Sequence, residues 1–225
     1  MKLISILTAC FNEEENVREL YAQVKAVMNT LPQYDYEHVF IDNASRDRTV
    51  EILREIAAED KRVRVIVNTR NFGHIRSPYH GMMQTRGDAV ISVVADLQDP
   101  PEMIRDFLSK WEEGYKIAIG VKRSSSESPL FWAVRKAYYK VVTGLSEIEL
   151  VKNFTGFGLY DREVIEQLRK VDDPYPYFRG LICDLGYERA EIPYDQPVRT
   201  RGFTKNNFYT LYDIAMLGIT NHSKV

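Results

Sequence analysis

Three oxygen-bearing side chains fall within four residues at the end of an apolar run. Asp96, Gln98 and Asp99 follow the apolar residues 89–94 and precede a Pro-Pro pair. Hard oxygen donors suit Mg²⁺ or Mn²⁺, and such a cation would bridge the protein to a diphosphate. A helix cap before the prolines is the alternative, for which Asp99 alone would serve. The pattern predicts a divalent-cation site in which Asp96 is the foremost ligand.

Other polar clusters have the side-chain types that bind nucleotides. Thr8, Phe11, Asn12 and Glu13 would line a nucleotide pocket or cap the helix that follows. Asp42 could accept hydrogen bonds from a base or ribose, or belong to a turn. Basic residues of the second half suit phosphate contacts, with a solvated charged loop as the alternative. They are Arg123, Arg199, Arg201 and Lys205.

Strand and helix patterns alternate through roughly the first 120 residues. Residues 3–7 form a compact apolar strand, and residues 17–31 repeat apolar side chains at helical spacing. Further strands are predicted at 38–41, 63–67, 89–94 and 117–121, and further helices at 50–57 and 100–111. This alternation predicts an α/β fold with a mainly parallel central sheet and helices on both faces.

Polar residues stand after successive predicted strands. They are Asn12 and Glu13 after the first, residues 42–45 after the second, Asn71 and Gly73 after the third, and residues 96–99 after the fourth. Ligands of such sheets bind beyond the carboxyl ends of the strands. We therefore expect four loops to converge on one rim.

The alternation breaks after residue 122. A serine-rich loop at 124–129 precedes a predicted helix at 131–142, and strands at 153–160 and 187–194 flank a helix at 161–168. The chain then turns basic, and residues 208–219 repeat apolar side chains at helical spacing. That last segment lies on a membrane surface or packs on the core as a helix.

Composition limits the classes of protein to which the chain can belong. Its 225 residues, 44% of them hydrophobic, can bury one substantial core. The formal net charge of -2 gives no overall attraction to nucleic acid. Cys10 and Cys183 form no CxxC pair, which favours a reducing compartment. Because no run of about eighteen apolar residues occurs, we expect a soluble chain.

Four segments, taken in order, resemble glycosyltransferase family 2. They are TACFNEE at 8–14, DNASRDRT at 42–49, RNFG at 70–73 and DLQDPPE at 96–102. Within the family the chain is similar to the polyprenyl-phosphate glycosyltransferases, which include dolichyl-phosphate mannose synthases and bactoprenol glucosyltransferases. The similarity runs from residue 3 to about residue 223.

The resemblance implies an inverting enzyme with the GT-A nucleotide-diphospho-sugar transferase fold. A catalytic domain would occupy residues 1–200, and residues 201–225 would form a basic loop and an amphipathic segment beside membrane helices that are not in the sequence. A sugar would move from a nucleotide-diphospho-sugar, with a UDP-sugar favoured, to a polyprenyl phosphate at the cytoplasmic face of a membrane. No nucleic acid partner is expected, and homo-oligomerisation is left open.

The resemblance also implies roles for individual residues. Asp96 and Gln98 would hold Mg²⁺ or Mn²⁺. Asp96, Arg199 and Lys205 would act in catalysis, and Arg201 would take the acceptor phosphate. The nucleotide-sugar contacts would be Thr8, Ala9, Phe11, Asn12, Glu13, Asp42, Asn71, Gly73, Ala95 and Arg123.

Two positions depart from the family pattern. Val94 stands where many relatives have the first Asp of Asp-Ala-Asp, so one carboxylate is missing. Gly156 stands where relatives often have the Asp of Asp-Phe-Arg-Leu, the proposed base. A phosphate acceptor, whose second pKa is about 6, is already largely ionised at neutral pH and needs positioning more than deprotonation.

Two other functions stay open. A family 2 enzyme acting on a glycan hydroxyl would need a general base, such as Asp184 or Asp161. A catalytically silent nucleotide-sugar-binding or scaffold protein is the third alternative, which Val94 and Gly156 leave open.

Overall fold

The computed structural model describes residues 1–123, residues 151–197 and Met216. The strands are β1 Lys2–Cys10, β2 Tyr34–Asp42, β3 Val63–Val67, β4 Ala89–Ser92, β5 Ile117–Lys122, β6 Phe154–Asp161 and β7 Arg189–Tyr194. The helices are α1 Val17–Asn29, α2 Thr49–Glu59, α3 Gly73–Met83, α4 Ile104–Glu112, α5 Arg162–Leu168 and α6 Phe178–Asp184. A 3₁₀ turn at Pro101–Met103 precedes α4.

The seven strands form one mixed sheet in the order β3-β2-β1-β4-β6-β5-β7. β1 pairs in parallel with β2 and β4, β2 with β3, and β5 with β7. Among the described strands, β6 alone is antiparallel to its neighbours, β4 and β5. The α/β fold with a mainly parallel sheet is therefore confirmed, and the carboxyl ends of β1 to β4 share one edge.

Helices cover both faces of the sheet, so its central strands are buried on both sides and are almost continuously apolar. Ile4 and Ile6 of β1 pack with α1 and with Phe107 of α4 on one face. Leu7 belongs to the core on the other face, with Met82 of α3 and Val164 of α5. This alternation follows from the period of two along a strand.

Two helices, α3 and α6, were not predicted from the sequence. α3 contains Gly73, Pro78 and Gly81 within eleven residues, and glycine and proline are the poorest helix formers. The packing of its apolar side chains on the sheet overrides that propensity. Boundaries also shift: β2 begins at Tyr34, before the predicted residue 38, and β4 ends at Ser92, before the predicted residue 94.

Several predictions fall outside the described residues. They are the loop at 124–129, the helix at 131–142, the residues Arg199, Arg201 and Lys205, and the segment 208–219 apart from Met216, which is helical. The division into residues 1–200 and 201–225 likewise stays a prediction. Within the described residues, no helix combines the length and apolar character needed to span a bilayer.

Candidate active site

The loops after β1 and β2 are joined by hydrogen bonds. The amide N–H of Asn12 donates to Ser45 Oγ at 2.8 Å, and the N–H of Arg46 donates back to Asn12 Oδ1 at 2.8 Å. The N–H of Glu13 donates to Thr49 Oγ1 at 2.8 Å. Polar residues that also suit helix caps thus bond across two loops and fix one side of the rim.

Asn43 joins the loop after β2 to the loop after β3. Its Nδ2 donates to Asn71 Oδ1 at 2.9 Å and to the Gly73 carbonyl at 3.2 Å. Its Oδ1 accepts the N–H of Phe72 at 2.8 Å and Asn68 Nδ2 at 3.2 Å. One buried amide therefore holds the start of α3 against the end of β2.

The fourth loop follows β4 directly. The N–H of Val93 donates to the Leu7 carbonyl at 2.9 Å, which keeps the chain beside β1 past the end of the strand. Asp96 Oδ1 accepts the N–H of Gln98 at 3.1 Å, and Gln98 Nε2 donates to the Pro197 carbonyl at 3.4 Å. The acidic turn thus lies between the rim and the chain that leaves β7.

Left-handed backbone is concentrated at this rim. Of the four non-glycine residues with positive φ in the described chain, Asn12, Ala44 and Leu97 lie in three rim loops. Gly73, at φ 84°, begins α3 beside them. Such conformations persist only where the surroundings hold them, and they cluster at functional sites.

The acidic turn fits a cation shared between protein and ligand. The described residues contain no group of three or more His, Cys, Asp or Glu side chains that could hold a metal ion. Mg²⁺ is commonly held by one or two carboxylates together with substrate phosphates and water. Asp96 with the side-chain oxygen of Gln98 is a donor set of that kind.

Asp99 supports the turn from inside the core. It is 2% exposed, and its carboxylate accepts hydrogen bonds from the Tyr194 hydroxyl at 3.0 Å and the Val94 N–H at 3.4 Å. Burial raises the pKa of the Asp99 carboxyl to about 6, against the lowering effect of the Tyr194 hydrogen bond. Asp99 therefore anchors the turn to β7 and is not among the candidate cation ligands.

A cavity of about 460 Å³, here called the rim cavity, opens among these loops. Five of the predicted nucleotide-sugar contacts line it: Ala9, Phe11, Glu13, Asn71 and Gly73. The rest of its lining is Cys10, Asn43, His74, Ser77, Pro78 and Val94. The structure thus brings together residues from the ends of β1, β2, β3 and β4.

Three predicted contacts lie behind the rim. Thr8 is fully buried, with its hydroxyl 3.0 Å from Nε2 of His38. The Asp42 carboxylate is also fully buried and bonds both the N–H and the hydroxyl of Ser45. Ala95 packs in the core. These buried side chains pack below the rim loops, and none of them lines the rim cavity.

A second cavity, of about 360 Å³, continues from the first between α3 and α6. We call it the α3–α6 cavity. It shares Ala9, His74, Pro78 and Val94 with the rim cavity. Its remaining lining is mostly apolar and includes Thr155, Gly156, Tyr177, Phe178 and Arg179.

The two positions that depart from the family pattern both face these cavities. Val94 is 37% exposed and lines both of them. Gly156 has φ 100°, and a Cβ there would come no closer than 3.8 Å to Phe178. Space is therefore available at Gly156, but its backbone conformation disfavours any L side chain.

Comparison with known proteins decides the family. The family model described as Glycosyl transferase family 2 matches residues 5–169. The chain belongs to glycosyltransferase family 2. The uncharacterized glycosyltransferase YkcC of Bacillus subtilis is 34% identical over 220 residues, 97% of this chain and 68% of YkcC. The bactoprenol glucosyl transferase of Shigella phage SfX is 32% identical over 222 residues, 98% of this chain and 72% of the phage protein.

Solved structures confirm the GT-A fold of this family 2 glycosyltransferase. Glucosyl-3-phosphoglycerate synthase of Mycobacterium tuberculosis, crystallised with Mn²⁺, UDP and phosphoglyceric acid, superposes with a TM-score of 0.60 at 18% identity. The match covers 97% of this chain and 76% of that one. Mannosyl-3-phosphoglycerate synthase of Rubrobacter xylanophilus gives a TM-score of 0.62 at 16% identity, over 98% and 72% of the two chains.

Asp161 of the glycosyltransferase is not a candidate general base, which corrects one sequence-based alternative. It pairs with Ala89 at the amino end of β4, so it lies at the edge of the sheet opposite the rim. Its carboxylate accepts Trp111 Nε1 at 2.7 Å and the N–H of Glu163 at 2.9 Å, which caps α5. Asp184 is exposed at the end of α6 and lines neither cavity.

Arg123 follows the carboxyl end of β5 and forms an exposed ion pair with Asp195 at 2.9 Å. The N–H of Arg123 donates to the Tyr194 carbonyl at 2.9 Å, so β5 and β7 hold its backbone. Arg123 lines neither cavity.

His74, Ser77 and Pro78 of α3 line the rim cavity of the glycosyltransferase, and none of them is a predicted site residue. A signal for this helix was present. Ile75, Tyr79, Met82 and Met83 recur at the spacing of one helical face, a pattern from which α3 could have been predicted.

Proposed function

We propose that this family 2 glycosyltransferase transfers one sugar, with inversion at the anomeric carbon, from a UDP-sugar to a polyprenyl phosphate. The similar phage protein is named a bactoprenol glucosyl transferase, and a fold neighbour was crystallised with Mn²⁺ and UDP-glucose. Both support the proposal, with the rim cavity as the donor site.

One observation favours a phosphate acceptor over a hydroxyl. Among the described residues that line the α3–α6 cavity there is no carboxylate, and the charged or chargeable nitrogen groups are those of His74 and Arg179. A sugar hydroxyl must lose a proton during attack and needs a general base. A phosphate monoester is largely ionised at neutral pH and needs a cation to position it.

The chemistry assigned to the chain's own residues follows from this arrangement. Ala9, Phe11 and Glu13 line the donor side, and the α3–α6 cavity receives the acceptor next to it. The acceptor phosphate oxygen forms a bond to the anomeric carbon as the bond from that carbon to the UDP oxygen breaks. Attack from the face opposite the leaving group inverts the configuration.

Asp96 and Gln98 would hold Mg²⁺ or Mn²⁺, which when bound supplies Lewis-acid stabilisation of the charge on departing UDP. Arg199 and Lys205 would share that task, and Arg201 would contact the acceptor phosphate. Arg123 would extend the phosphate-binding surface beyond β5. Residues 201–225 would place the site at the cytoplasmic face of a membrane, a proposal that vesicle flotation of the longer native chain tests.

Two acceptors that differ in one group test the proposal. Radiolabelled UDP-sugar is incubated with Mn²⁺ and either a polyprenyl phosphate or the matching polyprenol. We expect labelled product from the phosphate alone, with the anomeric configuration in NMR opposite to that of the donor. Transfer to the polyprenol or to a glycan hydroxyl would contradict it, and no transfer to any acceptor would favour a silent binding protein.

Arg179 provides a test within the chain. Its Nη1 donates to the Phe154 carbonyl at 3.4 Å, beyond an ideal hydrogen bond, and its guanidinium lies 5.2 Å from the centre of the Tyr177 ring, so both of these contacts are weak. We expect Arg179→Gln to lower kcat/KM for the polyprenyl phosphate by about tenfold or more, because a charge-assisted hydrogen bond contributes about 1.5–3 kcal/mol. The KM for UDP-sugar should stay unchanged.

Arg54 is the matched control for Arg179. It is exposed on α2 and lines neither cavity. Arg54→Gln removes the same charge and should leave both kinetic constants as in the wild type. Equal acceptor kinetics for the Arg179 and Arg54 variants would remove Arg179 from the acceptor site.

A further inference from the structure

Four arginines line an open cleft at the edge of the sheet opposite the rim, which we call the arginine cleft. It has a volume of about 470 Å³. Its charged lining residues are Arg64, Arg86, Arg162, Arg169 and Glu166. Arg86 precedes β4 and Arg162 begins α5, which places the cleft at the amino end of β4.

The cleft carries a surplus of positive charge. Arg169 pairs with Glu166 at 2.9 Å, and Arg162 lies 3.7 Å from the same carboxylate. Behind the lining, Glu37 pairs with Arg64 at 2.8 Å. Among the described residues of the cleft, two carboxylates therefore oppose four guanidinium groups, in a chain whose formal net charge is -2.

Several of these guanidinium groups are held in place by backbone. Arg162 Nε donates to the Gly87 carbonyl at 2.8 Å. Arg169 Nη2 donates to the Met83 carbonyl at 2.6 Å, and Arg64 Nη1 to the Gln84 carbonyl at 3.2 Å. The contacts to Met83 and Gln84 cap the carboxyl end of α3. Together the three contacts orient three guanidinium groups toward one space, which lowers the entropy cost of binding a ligand there.

Capping does not account for Arg86. Its backbone N–H donates to Glu37 at 2.8 Å, but its exposed guanidinium makes no hydrogen bond or ion pair with the described residues. The pKa of Arg162 is lowered, first by burial and then by the charge of Arg169. An anion in the cleft would relieve that repulsion and engage Arg86.

We propose that the arginine cleft binds a phosphate group, at a site separate from the rim cavity. A guanidinium group can donate two parallel hydrogen bonds to two oxygens of a phosphate. Several guanidinium groups around one space therefore suit a tetrahedral anion with several negative charges. The phosphate belongs either to a soluble phosphate ester or to a lipid headgroup. The site is independent of the proposed transferase reaction.

The test uses Arg86→Gln, because the Arg86 side chain supports no contact of the described fold. Binding of inorganic pyrophosphate without divalent metal is measured by titration calorimetry. Sedimentation with phosphatidylglycerol vesicles is measured against phosphatidylcholine vesicles. We expect Arg86→Gln to weaken binding of pyrophosphate, of anionic vesicles or of both by about tenfold, because the substitution removes one charge-assisted hydrogen bond. Arg54→Gln should bind as the wild type does.

The two arms identify the source of the phosphate. Arg86-dependent binding of pyrophosphate alone assigns a soluble ester, and Arg86-dependent binding of anionic vesicles alone assigns a headgroup. UDP-sugar binding, measured on the same variant, should be unchanged, which separates this site from the donor site. Wild-type behaviour of Arg86→Gln in both arms, or no binding of either probe, would overturn the proposal.

Discussion

Val94 occupies the wall of both cavities at the position where many family 2 relatives have a carboxylate, two residues before Asp96. We expect Val94→Asp to tighten Mn²⁺-dependent binding of UDP-sugar by several-fold to about tenfold, because cation affinity rises with the number of charged ligands. Titration calorimetry at fixed Mn²⁺ measures the change.

Val94→Asn is the matched control, because asparagine has nearly the same shape as aspartate and carries no charge. It should bind the donor as the wild type does. Weaker binding by Val94→Asp than by Val94→Asn would show that Val94 does not face the cation.

At the scale of residues, the sequence predicted which loops form the rim better than it predicted which way each side chain points. Ala9, Phe11 and Glu13 line the rim cavity, whereas Thr8 points away from it. The alternation of β1 explains the difference, because Leu7 and Ala9 line the α3–α6 cavity and Thr8 between them must face the other side. The resemblance supplied a motif, but strand geometry decides which side chains the motif exposes.

At the scale of elements, α3 forms a wall of both cavities, and Gly81 sets its distance from the sheet. A Cβ at Gly81 would lie 2.8 Å from Ile41 Cγ2 and 2.9 Å from Leu7 Cδ1. We expect Gly81→Ala to lose up to about 2 kcal/mol of unfolding free energy, because overpacking costs about 1–3 kcal/mol and exceeds the gain in helix propensity. Urea unfolding measures it.

Gly81→Ser extends the series, since its added hydroxyl oxygen should increase the loss. Displacement of α3 also moves Gly73 and His74, so donor binding should weaken in the same order. A Gly81→Ala variant as stable as the wild type, with unchanged donor binding, would contradict this account of α3.

Elements with a clear period were predictable and those fixed by packing were not. β1, α1 and β3 follow from local apolar patterns. α3 was missed because glycine and proline weaken its local signal, and α6 has only seven residues. β6 runs antiparallel to β4 and β5, a direction that no local pattern encodes.

At the scale of the whole molecule, one buried histidine links stability to pH. His38 is fully buried in β2, and burial lowers its pKa to about 3. In the unfolded chain its pKa is about 6.5, so between these values the unfolded state binds the extra proton. Stability is therefore lost as the pH falls below about 6.5.

Unfolding free energies at pH 7.5 and 5.5 test this link. Between pH 7.5 and pH 5.5 the unfolding free energy of the wild type should fall by about 1.4 kcal/mol more than that of His38→Gln, as the proton-linkage relation requires. Glutamine keeps a polar partner for Thr8 without titrating. Identical pH dependence in the two proteins would show that His38 does not carry the effect.

The topology explains why the location of the candidate site could be predicted. Parallel strands bring their carboxyl ends to one edge, so polar residues after four strands had to meet there. The same topology places Asp161 at the opposite edge, because β6 runs against its neighbours. The arginine cleft at that edge joins residues distant in sequence, and no motif marked it.

The central claim is that the rim binds a nucleoside-diphospho-sugar through a cation held by Asp96. Titration calorimetry with UDP- and GDP-sugars, with Mn²⁺ and with chelator, tests it on the wild type, Asp96→Asn and the exposed control Asp106→Asn. We predict that one donor binds the wild type and Asp106→Asn at least about tenfold more tightly with Mn²⁺, and that Asp96→Asn loses this dependence. Donor binding whose affinity depends on neither Mn²⁺ nor Asp96 would contradict the account, as would the absence of binding by every donor.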